Sequence, residues 1–127
     1  LKEHQRIQYV HEGNPLANLD LSLIRNIIIN LVSNAIKFSP AQSMIYVNSH
    51  IDEAHVTITV KDEGLGIPEE DKKHLFERFF RANNVTNIQG TGLGLHIVSK
   101  YVELMGGTIS VDSELEKGTL FTLKFNV

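Results

Sequence analysis

No cysteine occurs in the 127 residues, which excludes disulfides and thiolate-held zinc. Its absence fits a reducing cytosol. Basic residues are not in excess either: twelve Lys and Arg stand against fifteen Asp and Glu, a formal net charge of −3. Nucleic-acid binding usually shows a basic face, and attraction to lipid headgroups a polybasic patch. Neither is present, so neither nucleic acid nor membrane is an expected partner of this domain. No apolar run approaches the length of a membrane span. No signal peptide is visible, and the chain begins at Leu1 rather than Met. The expectation is a cytoplasmic piece of a longer protein, the whole of which could be anchored in a membrane. Internal repeats and low-complexity tracts are lacking too. What remains is ordinary globular composition, 42% hydrophobic and 21% charged. The length suits a single domain over residues 1–127 with one core.

Punctuation and periodicity divide the chain. Arg6 to Val10 reads as a strand and His11 to Leu19, with Gly, Asn and Pro, as a loop. Asp20 is a suitable N-cap for a helix from about Leu21 to Phe38, which Pro40 ends. Ile24, Ile27, Ile28, Leu31, Val32 and Ala35 form its core face. Ile29 and Ile36 fall on the far side beyond Arg25, which predicts cover on two sides. Met44 to Ile51 and His55 to Lys61 read as a hairpin around Asp52-Glu53-Ala54. Pro68 opens a short polar helix, EEDKKHLF. Asn83 to Gly90 reads as a mobile polar loop. A second long helix, from Leu93 to Met105, stops at Gly106-Gly107. Thr108 to Asp112 and Thr119 to Val127 close the chain as strands joined around Glu116-Lys117-Gly118. Two hairpins imply a mixed, mostly antiparallel sheet. Helices on one face make it a two-layer α/β sandwich of the α+β class.

Four segments carry chemistry. In the first, Asn30, Asn34 and Lys37 lie at i, i+4 and i+7 and share one helix stripe. A neutral amide oxygen suits Mg²⁺, and an ammonium suits phosphate. The same stripe would equally suit a solvated face. In the second, Asp62-Glu-Gly64-Leu-Gly66-Ile67, a strand ends in a carboxylate followed by Gly-x-Gly. Glycine lets backbone approach a ligand. The carboxylate can accept from the exocyclic amine of adenine, where guanine presents a carbonyl. A turn with a solvated Asp reads the same way. In the third, Phe76-Glu-Arg78-Phe79-Phe80-Arg81, the rings anchor a loop base and the arginines could meet phosphate or solvent. In the fourth, Gly90-Thr91-Gly92-Leu93-Gly94-Leu95 runs into a helix, an arrangement suited to anions. It is neither a dinucleotide fingerprint, because no strand precedes it, nor a phosphate-binding loop of the Walker type, because no Lys-Ser/Thr follows.

In this order the four segments resemble the N, G1, F and G2 boxes of the ATP-binding domain shared by sensor histidine kinases, gyrase, the heat-shock chaperone family and mismatch-repair ATPases. The resemblance covers about residues 6 to 126 and implies the Bergerat α/β sandwich, with ATP held between the long helix and a flexible lid. It implies that Asn34 coordinates Mg²⁺ and that Lys37 approaches the phosphates. Asp62 would hold the adenine amine, with Gly64, Gly66 and Ile67 bordering the base. Arg81 would reach the γ-phosphate, and Gly90, Thr91, Gly92, Leu93, Gly94 and Leu95 would wrap the phosphates. Thr119 would place a hydroxyl near the adenine. Phe38 stands where the family often has Tyr and would flank the base without the hydroxyl. His96 stands where a small residue is common.

Asn30 separates the branches. The hydrolysing branches usually have Glu here as general base, and an amide cannot accept that proton. Asn at this place, and the sequence FERFFR, resemble histidine kinases. The implied activity is transfer of the γ-phosphoryl group to a histidine on a separate helical dimerisation domain of a homodimeric kinase. A response-regulator receiver domain would be the next partner. A degenerate nucleotide-binding regulatory module and a stand-alone ATPase are the alternatives. His11-Glu12 looks like a phosphoacceptor pair, but Gly13-Asn14-Pro15 follows and breaks the helix such a pair needs.

Overall fold

The sheet consists of β1 (Arg6–Gly13), β2 (Met44–Ile51), β3 (His55–Asp62), β4 (Thr108–Glu114) and β5 (Gly118–Asn126); more and less buried residues alternate along most of β2 to β5, whereas residues 6–12 of β1 are exposed. The computed structural model describes residues 5–13, 20–77 and 94–126. Among these the strand order is β1-β2-β3-β5-β4, parallel only between β1 and β2 and antiparallel elsewhere. The parallel pair is connected through α1 (Leu21–Phe38), as a crossover demands. Ile45, Val47, Val56, Ile58, Val60, Phe121, Leu123 and Phe125 face one side of the sheet. There they share a core with Ile27, Leu31 and Ala35 of α1 and with Val98 and Val102 of α3 (Gly94–Leu104). Many outward positions are polar, including Asn48, His50, Thr57, Thr59, Thr122 and Lys124. The mixed, mostly antiparallel two-layer sandwich is the architecture expected.

The long helix starts and stops where its sequence dictates. The Asp20 carboxylate accepts from the Leu23 N–H at 3.1 Å, satisfying one of the donors that every helix start leaves over. Ser39 ends it in an extended conformation ahead of Pro40. The sheet and α3 cover α1 on two sides, as its second apolar stripe implies. Ile36 packs against the core, but Ile29 remains 54% exposed.

Three boundaries differ from the local reading. β1 continues through His11, Glu12 and Gly13, because each gains a parallel partner on β2, ending at Gly13↔Ile51. The His11-Glu12 pair therefore lies in a strand. The polar helix after Pro68 is one turn, α2 (Glu69–Lys72), and then relaxes into successive three-residue turns: the His74 N–H donates to Asp71 and the Glu77 N–H to His74. β4 runs two residues past Asp112, to Glu114, where Ser113 and Glu114 pair with Thr119 and Gly118.

Gln5 has a role that no local sequence pattern signals. This side chain is buried, and its Nε2 lies 3.2 Å from the carbonyl oxygens of Ile36, Ser39 and Pro40. Its two N–H groups serve carbonyls around the C-terminal end of α1, where no glycine cap is present. Gln5→Ala should lower the unfolding free energy by about 1–2 kcal/mol, read by urea denaturation. An unchanged midpoint would show that water serves those carbonyls equally well.

Candidate functional site

The apolar rows of the sheet end in a polar one. Across three neighbouring strands, Val60, Phe121 and Val111 are in register, and the next inward positions are Asp62, Thr119 and Ser113. Asp62 and Thr119 are only 8% and 7% exposed. A carboxyl group in such a position needs donors. The Gly64 N–H supplies one at 2.9 Å to Oδ1, and the Thr119 N–H another. Burial nonetheless holds the Asp62 carboxyl above its ordinary pKa, with the two N–H groups pulling it partly back. A buried carboxyl group shifted this way at the end of a strand is a candidate ligand contact.

The glycine-rich turn after Asp62 is shaped by the protein's own backbone. A Cβ at Gly64 would fall 2.4 Å from the Phe38 carbonyl oxygen, which also accepts from the Leu65 N–H at 3.2 Å. Gly66 has φ +73°, and a Cβ there would fall 2.0 Å from the Glu114 carbonyl oxygen. The turn is thus wedged between the last residue of α1 and the end of β4. The Leu65 carbonyl in turn accepts from the Glu116 N–H at 2.8 Å. Ile67 donates its N–H to Ser113 Oγ, also at 2.8 Å. Phe38, Asp62, Gly64, Gly66, Ile67 and Thr119, read separately from the sequence, meet at one end of the sheet.

A second group gathers where α1 meets α3. Asn30 donates through Nδ2 to the Asn26 carbonyl at 2.8 Å, which leaves its amide oxygen turned outward as an acceptor. A Cβ on Gly94, the first residue of α3, would lie 3.3 Å from Asn30 Oδ1 and 3.9 Å from Asn34 Oδ1. Both amide oxygens therefore face the start of the helix that the fourth segment runs into. Two neutral oxygens suit a hard cation that keeps most of its water or phosphate ligands. Lys37 is exposed in the last turn of the same helix, where its charge also favours the helix dipole. Leu95 packs its side chain against the core, so only its backbone is free to serve an anion. Arg81, Gly90, Thr91, Gly92 and Leu93, like the loop read from Asn83 to Gly90, lie outside the described residues.

Two contacts here escaped the sequence reading. Ser113 is the hub of the polar row, and the signal for it was a hydroxyl at the inward position after Ile109 and Val111. His96 donates through Nδ1 to the Phe76 carbonyl at 3.1 Å. That bond ties α3 to the first residue of the third segment, Phe76, whose ring meets Phe121 edge-on at 6.3 Å. Nothing in the sequence pointed to that pairing.

Known proteins resemble this arrangement closely. A family model described as histidine kinase-, DNA gyrase B-, and HSP90-like ATPase matches residues 19–127. The sensor histidine kinase TmoS of Ectopseudomonas mendocina is 45% identical over 112 residues, 86% of this chain and 12% of TmoS. The sensor histidine kinase RcsC of Salmonella typhimurium is 42% identical over 109 residues, 84% of this chain and 11% of RcsC. The chain thus spans about an eighth or less of the length of these curated relatives. Among solved structures, the mycobacterial sensor histidine kinase MprB superposes with a TM-score of 0.79 at 30% identity, covering 94% of this chain and 83% of that one. The nucleotide-free catalytic domain of the histidine kinase ThkA gives 0.78 at 31% identity, covering 94% and 80%.

Proposed function

The chain belongs to the histidine kinase-, DNA gyrase B- and HSP90-like ATPase family, and on that footing we propose that it holds ATP with Mg²⁺ and presents the γ-phosphoryl group to a histidine on a separate helical dimerisation domain. The observation that carries the reading is the buried Asp62 in a polar row beside the glycine turn. Its carboxyl oxygen accepts the adenine amine, while Gly64 and Thr119 hold it in place. Asn34 offers an amide oxygen to Mg²⁺, and Lys37 and Arg81 offer charge to the phosphates. When bound, Mg²⁺ neutralises charge on the β- and γ-phosphate oxygens. To the same phosphates we assign the backbone N–H groups of Gly90 to Leu95, the segment whose last two residues open α3.

Asn30 favours transfer to another protein over hydrolysis, because an amide cannot take a proton from water. With water unactivated, the chain's task is positioning and charge compensation, which is most of what phosphoryl transfer asks of a protein. The acceptor histidine and the base beside it belong to the dimerisation domain, and a receiver domain takes the phosphoryl group next. We place the domain in the cytoplasm, where ATP is available. No helix among the described residues is long and apolar enough to cross a membrane.

Calorimetric titration with ATP and Mg²⁺ should give one site per chain. Asn34→Ala should weaken ATP when Mg²⁺ is present and leave metal-free binding unchanged. Incubation with γ-labelled ATP should leave this chain unlabelled and label an added phosphoacceptor domain. Acid-labile label retained on the isolated chain would refute the division of labour, and release of inorganic phosphate at a kinase-like rate would favour an ATPase.

A further inference from the structure

Ser113 Oγ makes three hydrogen bonds, which is all a hydroxyl can make: one as donor and two as acceptor. The Gly118 carbonyl, 2.9 Å away, can only accept, so the Ser113 proton points there. The Ile67 N–H, at 2.8 Å, can only donate, so it takes one Ser113 lone pair. The remaining contact is the Thr119 hydroxyl at 2.9 Å, and the only role left to Thr119 in it is donor. Thr119 has therefore committed its single proton to Ser113. Toward a ligand its oxygen has lone pairs and nothing to give. Beside it on the same row lies Asp62, whose side-chain oxygens are acceptors as well.

We propose that Ser113 is the specificity-positioning residue of the nucleotide site: by taking the Thr119 proton it keeps the base wall acceptor-only, which selects a purine bearing an amine at its 6-position over one bearing a carbonyl. The inference rests on the reading of the Asp62 pocket as the base site. Discrimination follows from the cost of facing lone pair to lone pair. A carbonyl at position 6 would meet acceptors on the wall, and none could turn to donate while Thr119 is held. Ser113 also secures Ile67 directly after the glycine turn, so the residue that orients the hydroxyl also fixes the edge of the pocket. No contact between Ser113 and the base is required. It acts through Thr119.

Affinities for ATP and ITP, each with Mg²⁺, test this: the two nucleotides exchange a 6-amino for a 6-oxo group and a bare N1 for N1–H at nearly constant shape, and the change in their ratio between variants isolates what Ser113 controls. Unaltered protein should prefer ATP strongly. Ser113→Ala releases the Thr119 proton, so the ATP:ITP preference should fall by about tenfold or more, mostly through tighter ITP. Ser113→Cys, which keeps the volume but accepts weakly, should shift it in the same direction and carries the test if the alanine variant does not fold. Adding Thr119→Val to either should remove the gain in ITP affinity. Equal loss of ATP and ITP affinity on substituting Ser113 would make it a structural tie only and overturn the proposal. If the unaltered protein binds neither nucleotide, the reading of the pocket itself fails, a result distinct from a preference that Ser113 does not control.

Discussion

Asp62→Asn should weaken ATP binding by about 10- to 100-fold and at the same time change how the stability of the nucleotide-free protein depends on pH. The first effect follows from the single oxygen an amide retains. That oxygen is the natural partner of the Gly64 N–H, which donates to Oδ1. The other terminal atom becomes a donor and faces the amine it should accept. The second effect follows from burial, which raises the Asp62 pKa above 3.8 despite the bonds from Gly64 and Thr119. The folded state then holds this proton more tightly than the unfolded chain does. Stability linked to Asp62 is fully present below 3.8, falls as pH rises through the interval up to the folded-state value, and stays at the lower level above it. Asn has no such titration. The melting temperature of the variant relative to the unaltered protein should therefore rise between acid and neutral pH. Calorimetry across that range, with ATP titrations at neutral pH, checks both parts. A constant difference in melting temperature would remove the burial argument, and ATP affinity within about threefold would remove Asp62 from the site.

Gly66→Ala should cost at least about 3 kcal/mol of unfolding free energy, whereas Gly106→Ala should cost about 1–2 kcal/mol. The two glycines share a left-handed backbone, with φ +73° and +70°, so the conformational penalty is common to both. They differ in surroundings. A Cβ on Gly66 would sit 2.0 Å from the Glu114 carbonyl oxygen, while one on Gly106 would meet nothing within 4 Å. Backbone cannot swing aside as a side chain can. Gly118, where a Cβ would fall 2.0 Å from the Asp62 carbonyl oxygen, should behave like Gly66. Urea denaturation of the three variants separates conformation from collision. Equal losses at Gly66 and Gly106 would mean that the turn shifts freely and that its wedging contributes nothing.

These glycines also show what was legible in the sequence and what was not. Gly64 and Gly66 stand out in the sequence because Gly-x-Gly follows a strand-ending carboxylate. Besides allowing close approach of a ligand, glycine is required here for a reason that no local pattern holds: the space is already occupied by Phe38 and Glu114. Features governed by neighbours along the chain read correctly, such as the Asp20 cap, the apolar stripe of α1 and the hairpin closed at Asp52, whose carboxylate accepts from the Ala54 and His55 N–H groups. Features governed by partners across the sheet did not. β1 looked finished at Val10 because Gly13 is a poor strand residue, yet pairing with Ile51 retains it. β4 looked finished at Asp112, one residue short of Ser113, and so the hub of the polar row went unseen. Gln5 bonds to carbonyls more than thirty residues away, a distance over which spacing carries no signal.

The helix α1 touches the site twice: its Asn30 and Asn34 oxygens face Gly94, and its Phe38 carbonyl seats the turn beside Asp62. Phe38 lies four positions after Asn34, about 6 Å of helix at 1.5 Å per residue. One rigid rod thus sets the interval between the proposed base pocket and the amide oxygens proposed for a cation. It works as a gauge block: an insertion or kink between these two residues would leave each pocket intact and put them at the wrong span.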